Sequence, residues 1–270
     1  MVVGGWAHRL HRFHPLARPP RHLALRTRDT DLAFSTDAAL VGDVRTALRD
    51  AGFTEELLGD HAPPATHYRL GDEDAGFYAE FLTPLHGSGV RRDGTSDATV
   101  SKGGVTAQKL RYLDLLLQRP WSLRAGSERE VPIAADVELF VPNPTSFMVQ
   151  KLLIHGDRRP QKRAQDILSI HDTLQLFGGS LGELRRLWVA EVRPTLANRT
   201  ARRAGAIARE VFAEVSDTIR EAARIPRDRR LAPENVQRAC HTASVKSSAT
   251  SRPHDLSACD ALRRNALCTL

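Results

Sequence analysis

The sequence predicts an α+β fold, and three patterns carry that prediction. Arg26-Thr27-Arg28-Asp29-Thr30-Asp31-Leu32-Ala33-Phe34 is a short strand pattern followed by a helix pattern, with Leu40, Val41, Val44, Ala47 and Leu48 at a 3.6-residue period and Gly52 as the stop. His67-Tyr68-Arg69-Leu70 and Gly76 to Leu82 flank the polar run Gly71 to Ala75, as two strands of a hairpin do. From Pro144 the spacing turns helical, through Phe147, Met148, Lys151, Leu152 and Ile154, then Ile167, Leu168, Ile170, Leu174 and Leu176.

The remaining elements follow in order. Val2-Val3-Gly4-Gly5-Trp6-Ala7 places a glycine pair at the start of a helix, where backbone N–H groups can approach phosphate oxygens. His8, His11 and His14 recur at helical spacing, but Pro15 closes the segment and no carboxylate accompanies them, so a zinc site is disfavoured. Asp37 is the expected helix cap before Leu40. His86 to Ser101 is a Gly-, Ser-, Asp- and Arg-rich loop, either over a site or plainly on the surface. Val105 to Leu117 and Pro132 to Val141 carry further apolar runs, and an arginine-studded helical region from Leu181 to about Ile225 is interrupted near Pro194. Beyond Pro226 the composition predicts disorder. These readings divide the chain into residues 1–142, 143–225 and a tail, 226–270.

With 270 residues and 41% hydrophobic content the chain can bury a sizeable core. No apolar run reaches the roughly eighteen residues of a membrane span, and no secretory signal opens the chain, so a cytoplasmic location with no membrane partner is expected. Cys240, Cys259 and Cys268 crowd the end without metal-ligand spacing, as incidental thiols would. A net charge of +7 fits contact with polyanions and equally fits an arginine-rich solvated surface.

The candidate chemistry lies in the acids. Asp29 and Asp31, at i and i+2 of a strand, share one face, while Thr30, Leu32 and Phe34 take the other. Two like charges this close repel unless a cation sits between them, which makes a divalent-metal platform with magnesium as its natural occupant. Glu80, an acid among Tyr78-Ala79 and Phe81-Leu82, is a third carboxylate that would be costly to bury unpaired. Asp136 and Glu138 form a competing pair, ranked lower because no glycine turn precedes it and Pro142-Asn143-Pro144 follows. Lys151 either neutralises phosphate or snorkels along its helix, and Asp166 either serves the site or pairs with Lys162 at i−4.

Gly4-Gly5, the R-x-T-x-D-x-D-like segment 26–32, Glu80, Lys151-Leu152, Lys162 and Asp166-Ile167 together resemble the polymerase-beta-type nucleotidyltransferase superfamily. The likeness is to its small bacterial branch of abortive-infection toxin-like and uncharacterised proteins. It covers residues 2 to 176 and implies a small mixed β-sheet with helices packed on one face, followed by a helical C-terminal region and a disordered tail. It implies that Asp29 and Asp31 bind Mg2+ and that Glu80 is a third ligand or the base. By the same likeness Gly4, Gly5, Arg26, Arg28, Lys151 and Asp166 serve the nucleotide. The implied reaction moves NMP from an NTP to a hydroxyl of RNA, protein or a small molecule, releasing pyrophosphate.

The chain departs from that pattern in four places. Only three residues precede Gly4, as in an N-terminally truncated catalytic unit or a shortened fold; the third acid is Glu rather than Asp; Pro15, Pro19 and Pro20 interrupt the link to Asp29; and Arg163 stands where an acid is usual. The alternative implied is an inactive nucleotide-binding or toxin–antitoxin partner protein of the same fold, with an antitoxin-like partner. A metal-dependent nuclease is disfavoured, because no lysine stands two residues after Glu80.

Overall fold

The computed structural model describes residues 1–22, 24–25, 27–38, 40, 42–59, 63–72, 76–126 and 136–248, with side chains to 244. Arg26 and the far end of the chain lie outside these residues. The chain opens with β1 (Val2–Val3), α1 (Gly4–Leu10) and a 3-10 turn at His11–Phe13. Next come β2 (Asp29–Ala33), α2 (Val44–Asp50), β3 (Thr54–Leu58), β4 (Ala65–Leu70) and β5 (Phe77–Pro84). β6 (Thr99–Lys102), β7 (Val105–Leu110), α3 (Leu113–Leu117), β8 (Trp121–Ala125) and β9 (Val137–Val141) complete the strand-bearing part.

These strands form a mixed sheet of seven in the order β1-β2-β5-β4-β3, with β7 also on β5 and β6 on β7. β5 runs parallel to β2 and β7 and antiparallel to β4, so the β4–β5 hairpin expected from the sequence is present. Alternation along the strands separates two faces. Tyr68, Ala79, Phe81, Val105 and Ala107 are buried on one face, where Val44 and Leu48 of α2 pack. The other face carries Asp29, Asp31, Tyr78, Glu80 and His67 at one end. Farther along it, Val3, Ala33 and Leu82 meet Leu113 and Leu116 of α3. A separate antiparallel pair, β8 and β9, packs Leu123, Ala125 and Val141 against Ala7 and Leu10 of α1.

α2 corrects one expectation. Its cap is Asp43, not Asp37: the Asp43 carboxylate accepts from the Thr46 N–H at 3.2 Å and the Thr46 hydroxyl at 2.8 Å, one position before the first helical residue.

The helical region comprises α4 (Pro144–Ile154), α5 (Pro160–Leu176), α6 (Leu181–Leu187), α7 (Asn198–Val211), α8 (Asp217–Arg224) and α9 (Pro233–Ser248). A π-helical turn at Trp188–Val192 and a 3-10 turn at Arg193–Thr195 account for the break near Pro194. α9 corrects the expected disorder of residues 226–248. Val236 and Cys240, one helical turn apart, are buried against Ile167, Phe212 and Ile219, while Gln237 Nε2 donates to the Phe212 carbonyl at 2.7 Å. A polar composition hid this narrow apolar stripe. Among the described residues no helix is long and apolar enough to cross a membrane.

Of the three histidines near the start, His8 and His11 belong to the core and His14 lies at its edge. His8 stacks on Phe147 at 5.7 Å between centroids, His11 meets Phe147, Trp121 and Phe177 edge-on, and His14 stacks on Trp121. Burial pushes His8 down to about 3 and His11 to about 4, which keeps both neutral. His11 Nε2 lies 2.7 Å from the Pro142 carbonyl oxygen, so that nitrogen carries the proton. This cluster ties α1 to α4 and places the glycine pair beside the acids.

Candidate active site

Two parallel strands bring the acids together. In the β2–β5 register Asp29 opposes Tyr78 and Asp31 opposes Glu80, so the three carboxylates project from one face of neighbouring strands. Asp31 is half-buried, and its carboxyl is pushed up to about 6. Desolvation is the largest cause, followed by the charges of Glu80 and Asp29, with Lys151 and Arg158 opposing. Negative charge is in excess here.

The glycines explain how α1 approaches so closely. Gly4 follows Val3, which pairs with Asp31, and it holds a φ of +62°. A Cβ on Gly4 would stand 1.8 Å from Asp31 Oδ2, and one on Gly5 would stand 2.8 Å from Thr27 Cγ2. Glycine is therefore required at Gly4 on two grounds, backbone conformation and the room left beside a carboxylate oxygen.

The hairpin adds a residue that the sequence reading missed. His67 of β4 opposes Glu80 of β5 and Glu56 of β3. Its Nε2 lies 3.5 Å from Glu80 Oε1 without hydrogen-bond alignment, its Nδ1 lies 3.7 Å from Glu56 Oε2, and its ring stacks on Tyr78 at 4.6 Å. Extending the hairpin pairing from Leu70 and Phe77 by three residues on each strand would have placed His67 beside Glu80.

Cations approach from the helical side. Lys151 of α4 is buried and donates to Asp166 Oδ1 of α5 at 2.5 Å, while its Nζ lies 4.9 Å from the Phe147 ring centre. Arg158, in the turn between the two helices, donates from Nε to Asp166 Oδ2 at 3.1 Å. Neither bland alternative holds: Lys151 does not snorkel, and Asp166 is buried and paired with Lys151 rather than lying exposed beside Lys162. Asp166 thus holds Lys151 in place. Arg158 was also missed, because a turn residue has no periodicity to mark it.

The other candidates sort by position. Arg28 sits exposed in a bend ahead of β2, its carbonyl accepting from the Tyr78 N–H. The rival acid Glu138 is exposed on β9, in the separate sheet opposite Arg124, and neither it nor Asp136 is among the charges acting on Asp31.

The donor set suits a hard cation. Carboxylate oxygens are the ligands that magnesium takes, and the excess negative charge at Asp31 is what such an ion would neutralise. Among the described residues no three His, Cys, Asp or Glu side chains are already drawn into a metal cluster. The three acids are register neighbours and not a preformed cage.

No curated protein and no solved structure matches the chain. A family described as Nucleotidyltransferase matches residues 1–192, a span that holds the glycine pair, all three carboxylates and the Lys151–Arg158–Asp166 cluster. The chain belongs to this nucleotidyltransferase family.

Proposed function

We propose that the chain is a magnesium-dependent transferase that moves a nucleoside monophosphate from an NTP to an acceptor hydroxyl and releases pyrophosphate. The observation that carries this reading is the β2–β5 register, which sets Asp31 against Glu80, with the Asp31 carboxyl raised by burial first and by its acidic neighbours second. Asp29 and Asp31 hold the cation, with Glu80 as a third ligand or as the base. The ion, when bound, offsets charge on the phosphate oxygens.

The residues of the chain do the rest. Glu80 accepts the acceptor's proton as its oxygen forms a bond to the α-phosphorus and the bond to the pyrophosphate oxygen breaks. Gly4 and Gly5 let the backbone come close to the phosphates. Arg28 lies at the approach to β2 and meets the nucleotide there, and the family likeness gives Arg26 the same role. Lys151, oriented by Asp166, neutralises phosphate charge. The exposed Arg193, Arg199, Arg202 and Arg209 of the helical region favour an RNA acceptor over a small molecule.

The test is pyrophosphate release from each NTP with Mg2+, compared with Asp29→Ala and Asp31→Ala. Release by the wild type and its loss in both variants are expected. Equal signals from all three proteins would remove the enzymatic reading, and NTP binding without release would leave the inactive-partner alternative standing. Which molecule of a cell extract takes up an α-labelled NTP identifies the acceptor.

A further inference from the structure

We propose that Arg158 is the ligand of the distal phosphates, the pair that leaves as pyrophosphate; the proposal rests on the transferase reading. Arg158 spends only its Nε on Asp166, and among the described residues none accepts a hydrogen bond from either of its Nη groups. Its side chain is 39% exposed, whereas Lys151 and Asp166 are 11% and 3% exposed. One buried carboxylate therefore anchors two cations, one buried and one partly exposed.

The turn that carries Arg158 is held in place. Arg163 Nε donates to the Arg158 carbonyl and its Nη2 to the Gly156 carbonyl, each at 2.8 Å, which fixes the turn that carries Arg158. This gives the basic residue at 163, where the family pattern has an acid, a concrete task. The cluster of Lys151, Arg158 and Asp166 keeps one net positive charge, and it is joined to the acids through α1: Lys151 sits over the Phe147 ring, His8 of α1 stacks on that ring, and α1 begins at Gly4 against Asp31. A guanidinium with a free Nη fork is matched to phosphate oxygens, which it binds in pairs. The reacting phosphorus belongs beside Asp31 and Glu80, which leaves the free fork for the leaving group, where negative charge grows.

The experiment measures equilibrium binding of NTPs, the corresponding NMPs and inorganic pyrophosphate, with Mg2+, to the full chain. Arg158→Gln should weaken NTP and pyrophosphate about tenfold to a hundredfold while NMP binding stays within about twofold. Arg163→Gln should weaken the same two ligands in the same sense and by less. If Arg158→Gln does not fold, Arg158→Lys, which keeps the charge on Asp166, should still lower NTP affinity selectively because it lacks the fork. Unchanged NTP and pyrophosphate affinity, or an equal loss for NTP and NMP, overturns the assignment of Arg158 alone. A wild-type protein that binds neither NTP nor pyrophosphate overturns the transferase reading with it.

Discussion

Gly4 and Asp31 are in contact to the exclusion of any side chain: a methyl group on Gly4 would overlap Asp31 Oδ2 at 1.8 Å. Gly4→Ala therefore forces a shift of the Asp31 carboxylate and places an L-residue at a φ of +62°. We expect a loss of about 1–3 kcal/mol in denaturant unfolding. Nucleotidyl transfer should fall at least tenfold. Wild-type stability and turnover in this variant would mean that the close approach has no consequence.

Asp31→Asn should make the protein more stable and inactive. The folded carboxyl titrates near 6, above its ordinary 3.8, so the ionised form opposes folding. Its cost is absent below pH 3.8, where both states are protonated, grows as pH rises toward 6, and is constant above it. The variant should gain on the order of 2 kcal/mol at pH 7 and converge on the wild type near pH 4. Thermal unfolding of both proteins across that range gives the answer; a gain independent of pH would contradict the cause given.

Asp166→Asn should be strongly destabilising, because it leaves the buried Lys151 ammonium without its anion. Breaking one partner of a buried pair costs about 3–5 kcal/mol. The double variant Lys151→Met/Asp166→Leu should recover much of that stability without recovering turnover. Additive losses in a double-mutant cycle would show that the two residues are not coupled.

Acid should unfold the protein early through His8 and His11. Both are depressed in the fold, to about 3 and about 4, from 6.5 in the unfolded chain, which therefore takes up protons first. Their stabilising effect is complete above about pH 6.5 and is lost as pH falls, by up to about 1.4 kcal/mol per pH unit for each. Asp31 acts in the opposite sense, but only between 3.8 and about 6. Melting temperature should drop between pH 7 and pH 5, and His11→Gln should flatten the slope. An unchanged slope would locate the acid sensitivity elsewhere.

Cys240 reports on α9. Its thiol is 2% exposed, and burial pushes it up to about 12. In a Cys259→Ser/Cys268→Ser background a thiol reagent should react with it only on unfolding, and truncation after Leu231 should destabilise the helical region. Rapid labelling of native protein would show that α9 is not docked.

The acids were legible because their signal is local: alternation alone puts Asp29 and Asp31 on one face, and a hairpin with an isolated Glu80 supplies the third. Lys151 and Asp166 emerged only through family likeness, since their pairing joins two helices across a turn. Arg158 was invisible for the same reason, because nothing in its neighbours implies which carboxylate its Nε reaches. The α9 stripe was missed because Val236 and Cys240 are too few to stand out in a polar segment. Their burial is decided by α5, α7 and α8, which no local pattern describes. The cap at Asp43 instead of Asp37 shows how weakly a capping residue is marked when two aspartates precede one helix.

Titration with Mn2+ as a spectroscopic substitute for Mg2+, in the presence of NTP, tests the central claim most directly. The account predicts stoichiometric binding to the wild type, weakened by an order of magnitude or more in Asp29→Asn and Asp31→Asn separately, with Asp136→Asn/Glu138→Gln unaffected. Equal affinity across all of these proteins would contradict it.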